Sequence, residues 1–130
     1  MKILIIDDDA DIRSIVRLSL SRLGGMEVIE AGSGVEGVQK AQDEKPDVIL
    51  LDMMMPTMDG LQTLAALRAR PATASTPVIF LTAKAVGDQI ERTPLRAAGV
   101  LIKPFDPRTL SQDVRTLVNR QRDTDERGHA

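Results

Sequence analysis

Residues 2–9 read Lys2-Ile3-Leu4-Ile5-Ile6-Asp7-Asp8-Asp9, a mostly apolar run that stops abruptly at three acids. The apolar part is short and rich in β-branched residues, which is typical of a β-strand. Its apolar residues do not alternate with polar ones, so both faces of the strand are predicted to be buried. A strand buried on both faces indicates a parallel sheet that is covered by helices on each side.

The same arrangement recurs along the chain. Further strands are predicted at Met26–Ile29, Val48–Leu51, Pro77–Leu81 and Val100–Ile102. Helices are predicted from Asp9 to the Gly24-Gly25 pair, over about 34–43, 61–70 and 107–120, and in a short piece near 88–93. This order predicts one α/β domain over residues 1–120, a (βα)5 fold with a doubly wound five-stranded parallel sheet. The polar residues 121–130 are expected to form a disordered tail.

The composition excludes several classes of protein. The 130 residues contain no cysteine, which rules out a disulfide-stapled module and a cysteine-based zinc site. No apolar run approaches the ~20 residues that cross a bilayer, and no signal peptide is recognised, so a cytoplasmic location without a membrane partner is expected. Phe80 and Phe105 are the only aromatic residues. Base-stacking surfaces are therefore nearly absent, and no direct nucleic-acid partner is expected.

The net charge of −2 conceals an uneven distribution. Residues 1–60 hold 12 acidic and 6 basic residues, a balance of −6, whereas residues 61–130 hold 7 acidic and 11 basic residues, a balance of +4. Four of the acids in the first half are concentrated at Asp7, Asp8, Asp9 and Asp11. Such a local excess of acids directs attention to the end of the first strand.

Chemically active residues follow four of the predicted strands. The first strand is followed by Asp7 and Asp8, the third by Asp52, the fourth by Thr82 and the fifth by Lys103. The carboxyl ends of parallel strands meet at one edge of the sheet, where ligands bind in this class of fold. Three carboxylates repel one another, and oxygen ligands without His or Cys favour a hard cation such as Mg²⁺.

The charges at this edge can be summed. Three aspartates contribute −3, Mg²⁺ would contribute +2 and Lys103 contributes +1, so the total is zero. A neutral site of this kind accepts a phosphoryl group that bare carboxylates would repel. Asp52 stands alone on the central strand and is the best-placed nucleophile, because a carboxylate can form an acyl phosphate.

Four motifs at these strand ends resemble those of the response-regulator receiver domain. They are Asp7-Asp8, Asp52-Met53-Met54-Met55-Pro56-Thr57-Met58-Asp59-Gly60, Thr82-Ala83 and Lys103-Pro104-Phe105. The resemblance covers residues 1–120 and implies a flavodoxin-like fold with strand order 2-1-3-4-5. It implies a stand-alone, chemotaxis-type signalling switch in a two-component system. Such a domain is not an enzyme, since it promotes only its own phosphorylation and dephosphorylation.

The resemblance also implies roles for individual residues. Asp52 would be the phosphoacceptor. Mg²⁺ would be bound by Asp7, Asp8 and Asp52 together with the backbone carbonyl of Met54. These roles make the acidic edge a combined metal and phosphoryl site.

Two further family features concern the fourth and fifth strands. Thr82 would hydrogen-bond the phosphoryl group, and Lys103, joined to Pro104 by a cis peptide bond, would pair with one of its oxygens. The family often has an aromatic switch residue three positions before the lysine, but Val100 occupies that position here. The resemblance therefore implies the chemistry of the site but leaves the output mechanism undefined.

The expected phosphodonor is a histidine kinase or a phosphotransfer protein. Ile15 and Leu18 lie away from the predicted core stripe of the first helix, beside the acidic edge, and are candidate contacts for that donor. The phosphorylated domain would then signal to a downstream protein partner.

Alternatives remain open from the residues alone. A Mg²⁺-dependent phosphatase of the haloacid-dehalogenase type would use Asp7 as nucleophile and Asp9 as acid. Residues 32–37 match the spacing of a dinucleotide fingerprint, but they follow the second strand rather than the first. A receiver that binds partners without phosphorylation, and a transcription regulator cut short, are further alternatives.

Overall fold

A computed structural model describes residues 1–82 and 97–128, with side chains up to Asp123. Within these ranges a single sheet is formed by β1 (Lys2–Ile6), β2 (Glu27–Ala31), β3 (Val48–Asp52), β4 (Val78–Thr82) and β5 (Gly99–Ile102). All four strand pairings are parallel, and the order across the sheet is β2-β1-β3-β4-β5. The predicted fold class and strand order are confirmed.

The described helices are α1 (Ala10–Leu18), α2 (Gly34–Glu44), α3 (Gly60–Arg68) and a C-terminal helix (Leu110–Gly128). The first three begin at side-chain caps. Asp9 accepts hydrogen bonds from the backbone N–H groups of Asp11 and Ile12, Ser33 accepts one from Glu36, and Asp59 forms a capping box with Gln62. These caps satisfy N–H groups that have no partner inside the helix.

None of the helices in the described ranges is long and apolar enough to cross a membrane.

Alternate residues of each strand enter two cores, one on each side of the sheet. In β1, Leu4 and Ile6 belong to the cluster that also contains residues of α2 and α3. Ile3 and Ile5 belong to the opposite cluster, with residues of α1 and the C-terminal helix. All four side chains are completely buried. The two-sided burial explains why the strands lack an alternating polar pattern.

The boundaries of the first and the C-terminal helix differ from those predicted from the sequence. The predicted first helix changes to a π-helical turn over Ser19–Leu23 before it ends at Gly24. The C-terminal helix begins at Leu110 rather than at 107, because residues 107–109 form a turn in which the Thr109 N–H donates to the carbonyl of Asp106. The short helix expected near 88–93 lies outside the described residues.

The prediction of a disordered tail over 121–130 is wrong for residues 121–128, which continue the C-terminal helix. No glycine or proline interrupts the chain between Pro107 and Gly128. Several of the polar residues there are Arg, Gln and Glu, which have good helix propensity. The apolar stripe of the C-terminal helix therefore ends where its packing against the core ends, and the helix itself continues beyond that point.

Thr57, in the loop after β3, has a φ angle of 68°. This left-handed conformation is costly for a β-branched residue and free of strain for glycine. We expect Thr57→Gly to raise the free energy of unfolding by about 1 kcal/mol, measured by urea denaturation followed by circular dichroism. Thr57→Ala, which keeps a Cβ atom, should gain much less. A lower stability for the glycine variant would contradict the prediction.

Candidate functional site

Three aspartates lie together at the carboxyl edge of the sheet. Asp7 follows β1 and is fully buried, Asp52 ends β3 and is 6% exposed, and Asp8 is exposed. One carboxylate oxygen from each residue lies within 4.8 Å of the others. The structure thus brings Asp52 beside two acids that lie 44 and 45 positions earlier in the chain, as the sequence predicts for strand ends.

Backbone contacts fix the two buried aspartates. The N–H of Asp7 donates to the carbonyl of Ala31 at 3.1 Å, which extends the pairing of β1 with β2. The Oδ1 atom of Asp7 accepts from the N–H of Asp9 at 2.9 Å. Asp52 Oδ1 lies 3.4 Å from the N–H of Met54. The carboxylates are therefore held by the strands and the loops that follow them.

Lys103 completes the group from β5. Its Nζ atom lies 3.1 Å from Asp7 Oδ2 and 3.3 Å from Asp52 Oδ1. Its backbone N–H donates to the carbonyl of Thr82 at 2.7 Å, and the peptide bond to Pro104 is cis. The ammonium therefore bridges two of the three carboxylates.

The electrostatics of the site follow from burial and from these pairs. The pKa of Asp52 is raised from 3.8 to about 6, chiefly because the carboxyl is buried and then because Asp7 is close; Lys103 acts in the opposite direction. Burial lowers the pKa of Lys103, but the charges and hydrogen bonds of Asp7 and Asp52 outweigh it, so the net change is upward. Among the described residues, one ammonium therefore faces three carboxylates and leaves them incompletely neutralised.

Thr82 ends β4 with its side chain pointing to no described partner. The residue is 1% exposed, and within residues 1–82 and 97–128 its Oγ1 atom makes no hydrogen bond. A buried hydroxyl without a partner costs free energy, and an oxygen-rich ligand would recover that cost. The donor set as a whole fits Mg²⁺ and a phosphoryl group, because it consists of carboxylate oxygens with one hydroxyl and one ammonium.

Sequence reasoning missed one residue at this edge. Arg13 of α1 donates a hydrogen bond from Nη1 to the backbone carbonyl of Asp7 at 2.6 Å and pairs with Glu30 of β2. The sequence shows Arg13 only as a basic residue on the polar side of an amphipathic helix. Nothing in that pattern indicates that its side chain contacts the backbone at the end of the preceding strand.

The family model for the response regulator receiver domain matches residues 3–115. The chain belongs to the response-regulator receiver domains. These domains are phosphorylation-dependent signalling switches rather than conventional enzymes, and they use Mg²⁺ at an aspartate cluster. The phosphatase alternative is not favoured.

Curated relatives and solved structures agree with this assignment. The alkaline phosphatase synthesis transcriptional regulatory protein PhoP of Bacillus subtilis is 37% identical, over 92% of this receiver chain and 49% of the relative. Response regulator Rre1 of Synechocystis is 35% identical, over 98% of the chain and 56% of the relative. The chain therefore spans about half the length of these relatives. The structure of the chemotaxis protein CheY4 of Vibrio cholerae matches with a TM-score of 0.82 and 34% identity, over 89% of this chain and 97% of that chain.

The raised pKa of Asp52 makes the stability of this receiver domain depend on pH. The folded state binds the proton more tightly than the unfolded chain, so ionised Asp52 destabilises the fold above about pH 6, and this cost disappears towards about pH 4. In metal-free buffer we expect Asp52→Asn to be more stable than wild type by about 1 kcal/mol near pH 7.5. This is less than the full ~3 kcal/mol, because solvent reaches the exposed Asp8 and the partly exposed Lys103 beside Asp52 and screens their charges. Urea denaturation across this pH range measures the difference, and a difference independent of pH would contradict it.

Proposed function

We propose that Asp52 accepts a phosphoryl group from the phosphohistidine of a histidine kinase or a phosphotransfer protein. The observation that supports this is the meeting of Asp52 with Asp7, Asp8 and Lys103 at one edge of the sheet. With a pKa of about 6, the Asp52 carboxyl is mainly ionised at neutral pH and available as a nucleophile.

The transfer would proceed at the carboxylate of Asp52. One carboxylate oxygen attacks phosphorus, the nitrogen–phosphorus bond of the donor breaks, and the donor imidazole leaves with the bonding electron pair and takes up a proton. Lys103 would move its hydrogen bond from Asp52 to a phosphoryl oxygen, and Thr82 would donate its hydroxyl to another. Both contacts stabilise negative charge on the transferred group.

Mg²⁺ would be held by the carboxylates of Asp7, Asp8 and Asp52 and by the backbone carbonyl of Met54. When bound, it would supply positive charge that neutralises the carboxylates and the phosphoryl oxygens. Support comes from the three ligand oxygens within 4.8 Å of one another and from the presence, among the described residues, of one ammonium that faces them. Added Mg²⁺ should therefore raise the unfolding midpoint of wild type.

A phosphatase that uses Asp7 as nucleophile finds less support in the geometry. The side chain of Asp7 is fully buried, and its two oxygens already accept from the Asp9 N–H and from Lys103. Asp9, the acid of that mechanism, accepts instead from backbone N–H groups as the cap of α1. Neither residue is free for the role that the phosphatase requires.

Mapping the phosphorylated residue tests the proposal. Wild type is incubated with a small phosphodonor and Mg²⁺, the acyl phosphate is reduced with borohydride, and the modified peptide is identified by mass spectrometry. Modification at Asp52 supports the receiver mechanism. Modification at Asp7 would support the phosphatase, and no modification with or without Mg²⁺ would support a receiver that binds partners without phosphorylation.

The finer proposal for the donor concerns α1 and the loop after β5. Ile15 and Leu18 are 43% and 54% exposed. Ile15 also lines a cavity of about 350 Å³ whose walls include Lys103, Phe105 and Pro107. An apolar surface next to the phosphoacceptor suits a helical donor that must bring its histidine to Asp52.

Changing both Ile15 and Leu18 to Ser should slow phosphorylation by a histidine kinase by about 30-fold, since each lost apolar contact costs about 1 kcal/mol. Phosphorylation by a small phosphodonor should be unchanged, because it needs no docking surface. Val35→Ser, at an exposed apolar residue of α2, is the control and should affect neither reaction. Equal slowing with both donors would contradict the proposal.

The downstream protein partner and the cytoplasmic location stay predictions from the sequence.

A further inference from the structure

Arg13 of α1 reaches back to the loop that carries Asp7 and Asp8. Its Nη1 atom donates to the backbone carbonyl oxygen of Asp7 at 2.6 Å, and its Nε atom donates to Oε1 of Glu30 at 3.2 Å. The side chains of Arg13 and Glu30 are 20% and 27% exposed. Two anchors and partial burial fix this guanidinium more firmly than an exposed ion pair would.

The carbonyl that Arg13 holds belongs to the peptide group between Asp7 and Asp8. This group is planar, so holding its oxygen also fixes the direction in which the chain enters Asp8. On the other side of Asp7, the N–H is held by the carbonyl of Ala31. Asp8 itself is exposed, so the position of its carboxylate depends on the backbone that precedes it.

We propose that Arg13 is a positioning residue of the magnesium site: it holds the Asp7–Asp8 peptide so that the Asp8 carboxylate stays beside Asp7 and Asp52. Glu30 in turn holds the guanidinium. This inference rests on the magnesium site of the proposed function. Groups that orient metal ligands in this way commonly change metal affinity by about 10- to 100-fold when they are removed.

Charge alone predicts the opposite effect. A guanidinium beside the carboxylate cluster repels a divalent cation, so its removal would tighten Mg²⁺ binding if Arg13 acted only through its charge. Removal of a positioning group weakens binding instead. The sign of the change in affinity therefore separates the two roles.

Arg17 provides a matched control on the same helix. Its Nη1 atom pairs with the other carboxylate oxygen of Glu30 at 2.6 Å. Its described contacts do not include the carbonyl of Asp7. Arg17→Ala therefore removes the same charge and an ion pair with the same glutamate, but leaves the peptide between Asp7 and Asp8 held.

The experiment measures the Mg²⁺ dissociation constant of wild type, Arg13→Ala and Arg17→Ala from the rise in unfolding midpoint with MgCl₂ at constant ionic strength. We expect about tenfold weaker binding for Arg13→Ala, and unchanged or slightly tighter binding for Arg17→Ala. Unchanged or tighter binding by Arg13→Ala would overturn the proposal. Equal weakening by both variants would also overturn it, because loss of the Glu30 pair would then suffice.

A second pair of variants keeps the test decisive if Arg13→Ala does not fold. Arg13→Lys and Arg17→Lys preserve charge, but a lysine cannot reproduce the fork that holds Glu30 and the Asp7 carbonyl together. Weaker Mg²⁺ binding by Arg13→Lys alone supports the proposal, and equal binding by both overturns it. If wild type binds no Mg²⁺, the proposed metal site itself fails, and that result is distinct from the pattern among the arginine variants.

Discussion

Asp52→Asn is expected to reduce phosphorylation by a small phosphodonor to the background level, a loss of about 1,000-fold or more. An amide oxygen is a poor nucleophile, and the variant lacks the negative charge that the ionised carboxylate of Asp52 carries. Intact mass spectrometry measures the effect as loss of the mass added by one phosphoryl group.

The substitution keeps the shape of the side chain, so the result does not depend on misfolding. The amide oxygen of Asn can still accept from Lys103 and from the N–H of Met54, as Asp52 does. The matched control is Asp43→Asn on the exposed surface of α2, which should be phosphorylated like wild type. Phosphorylation of Asp52→Asn at the wild-type rate would show that another residue is the acceptor.

Gly60→Ala is expected to lower the free energy of unfolding by about 3 kcal/mol. Gly60 is the first residue of α3 and packs against the end of β3, where its N–H donates to the carbonyl of Met53 at 2.9 Å. A Cβ atom added here would lie 2.7 Å from the Cα of Met53 and 2.8 Å from the carbonyl oxygen of Asp52. Backbone atoms cannot rotate away, so either α3 or the end of β3 that carries Asp52, the proposed phosphoacceptor, must move.

Urea denaturation followed by circular dichroism measures the loss. Gly32→Ala is the control, because its added Cβ atom would meet only the ends of two long side chains, Arg13 at 3.4 Å and Glu36 at 3.9 Å, and should cost about 1 kcal/mol or less. Gly60→Ala should also be phosphorylated more slowly than wild type. Equal free energies of unfolding for the two variants would contradict the prediction, because α3 would then move without a loss of stability.

The sheet and the acidic edge were predictable because they depend on patterns within single segments. Each apolar run ends where its strand ends, and parallel strands place those ends together, so Asp52 and Lys103 could be brought together without coordinates. The caps at Asp9, Ser33 and Asp59 were predictable for the same reason, because a cap acts within three residues.

Features that depend on contacts between segments were not predictable. The hydrogen bond from Arg13 to the Asp7 carbonyl requires the angle between α1 and β1, which no local pattern encodes. The left-handed conformation of Thr57 runs against its propensity and is imposed by the loop between β3 and α3. The helix over residues 121–128 lacks an apolar stripe, and periodicity therefore could not detect it.

The ion pair between Lys103 and Asp7 joins residues that are 96 positions apart. Of the strands that the structure describes, β5 comes last in chain order. A nascent chain in which β5 and Lys103 have not yet left the ribosome therefore has Asp7 and Asp52 without the ammonium that pairs with them. Under the proposed function, a chain that ends before β5 is therefore expected not to be phosphorylated, because it lacks the ammonium of Lys103 beside Asp52.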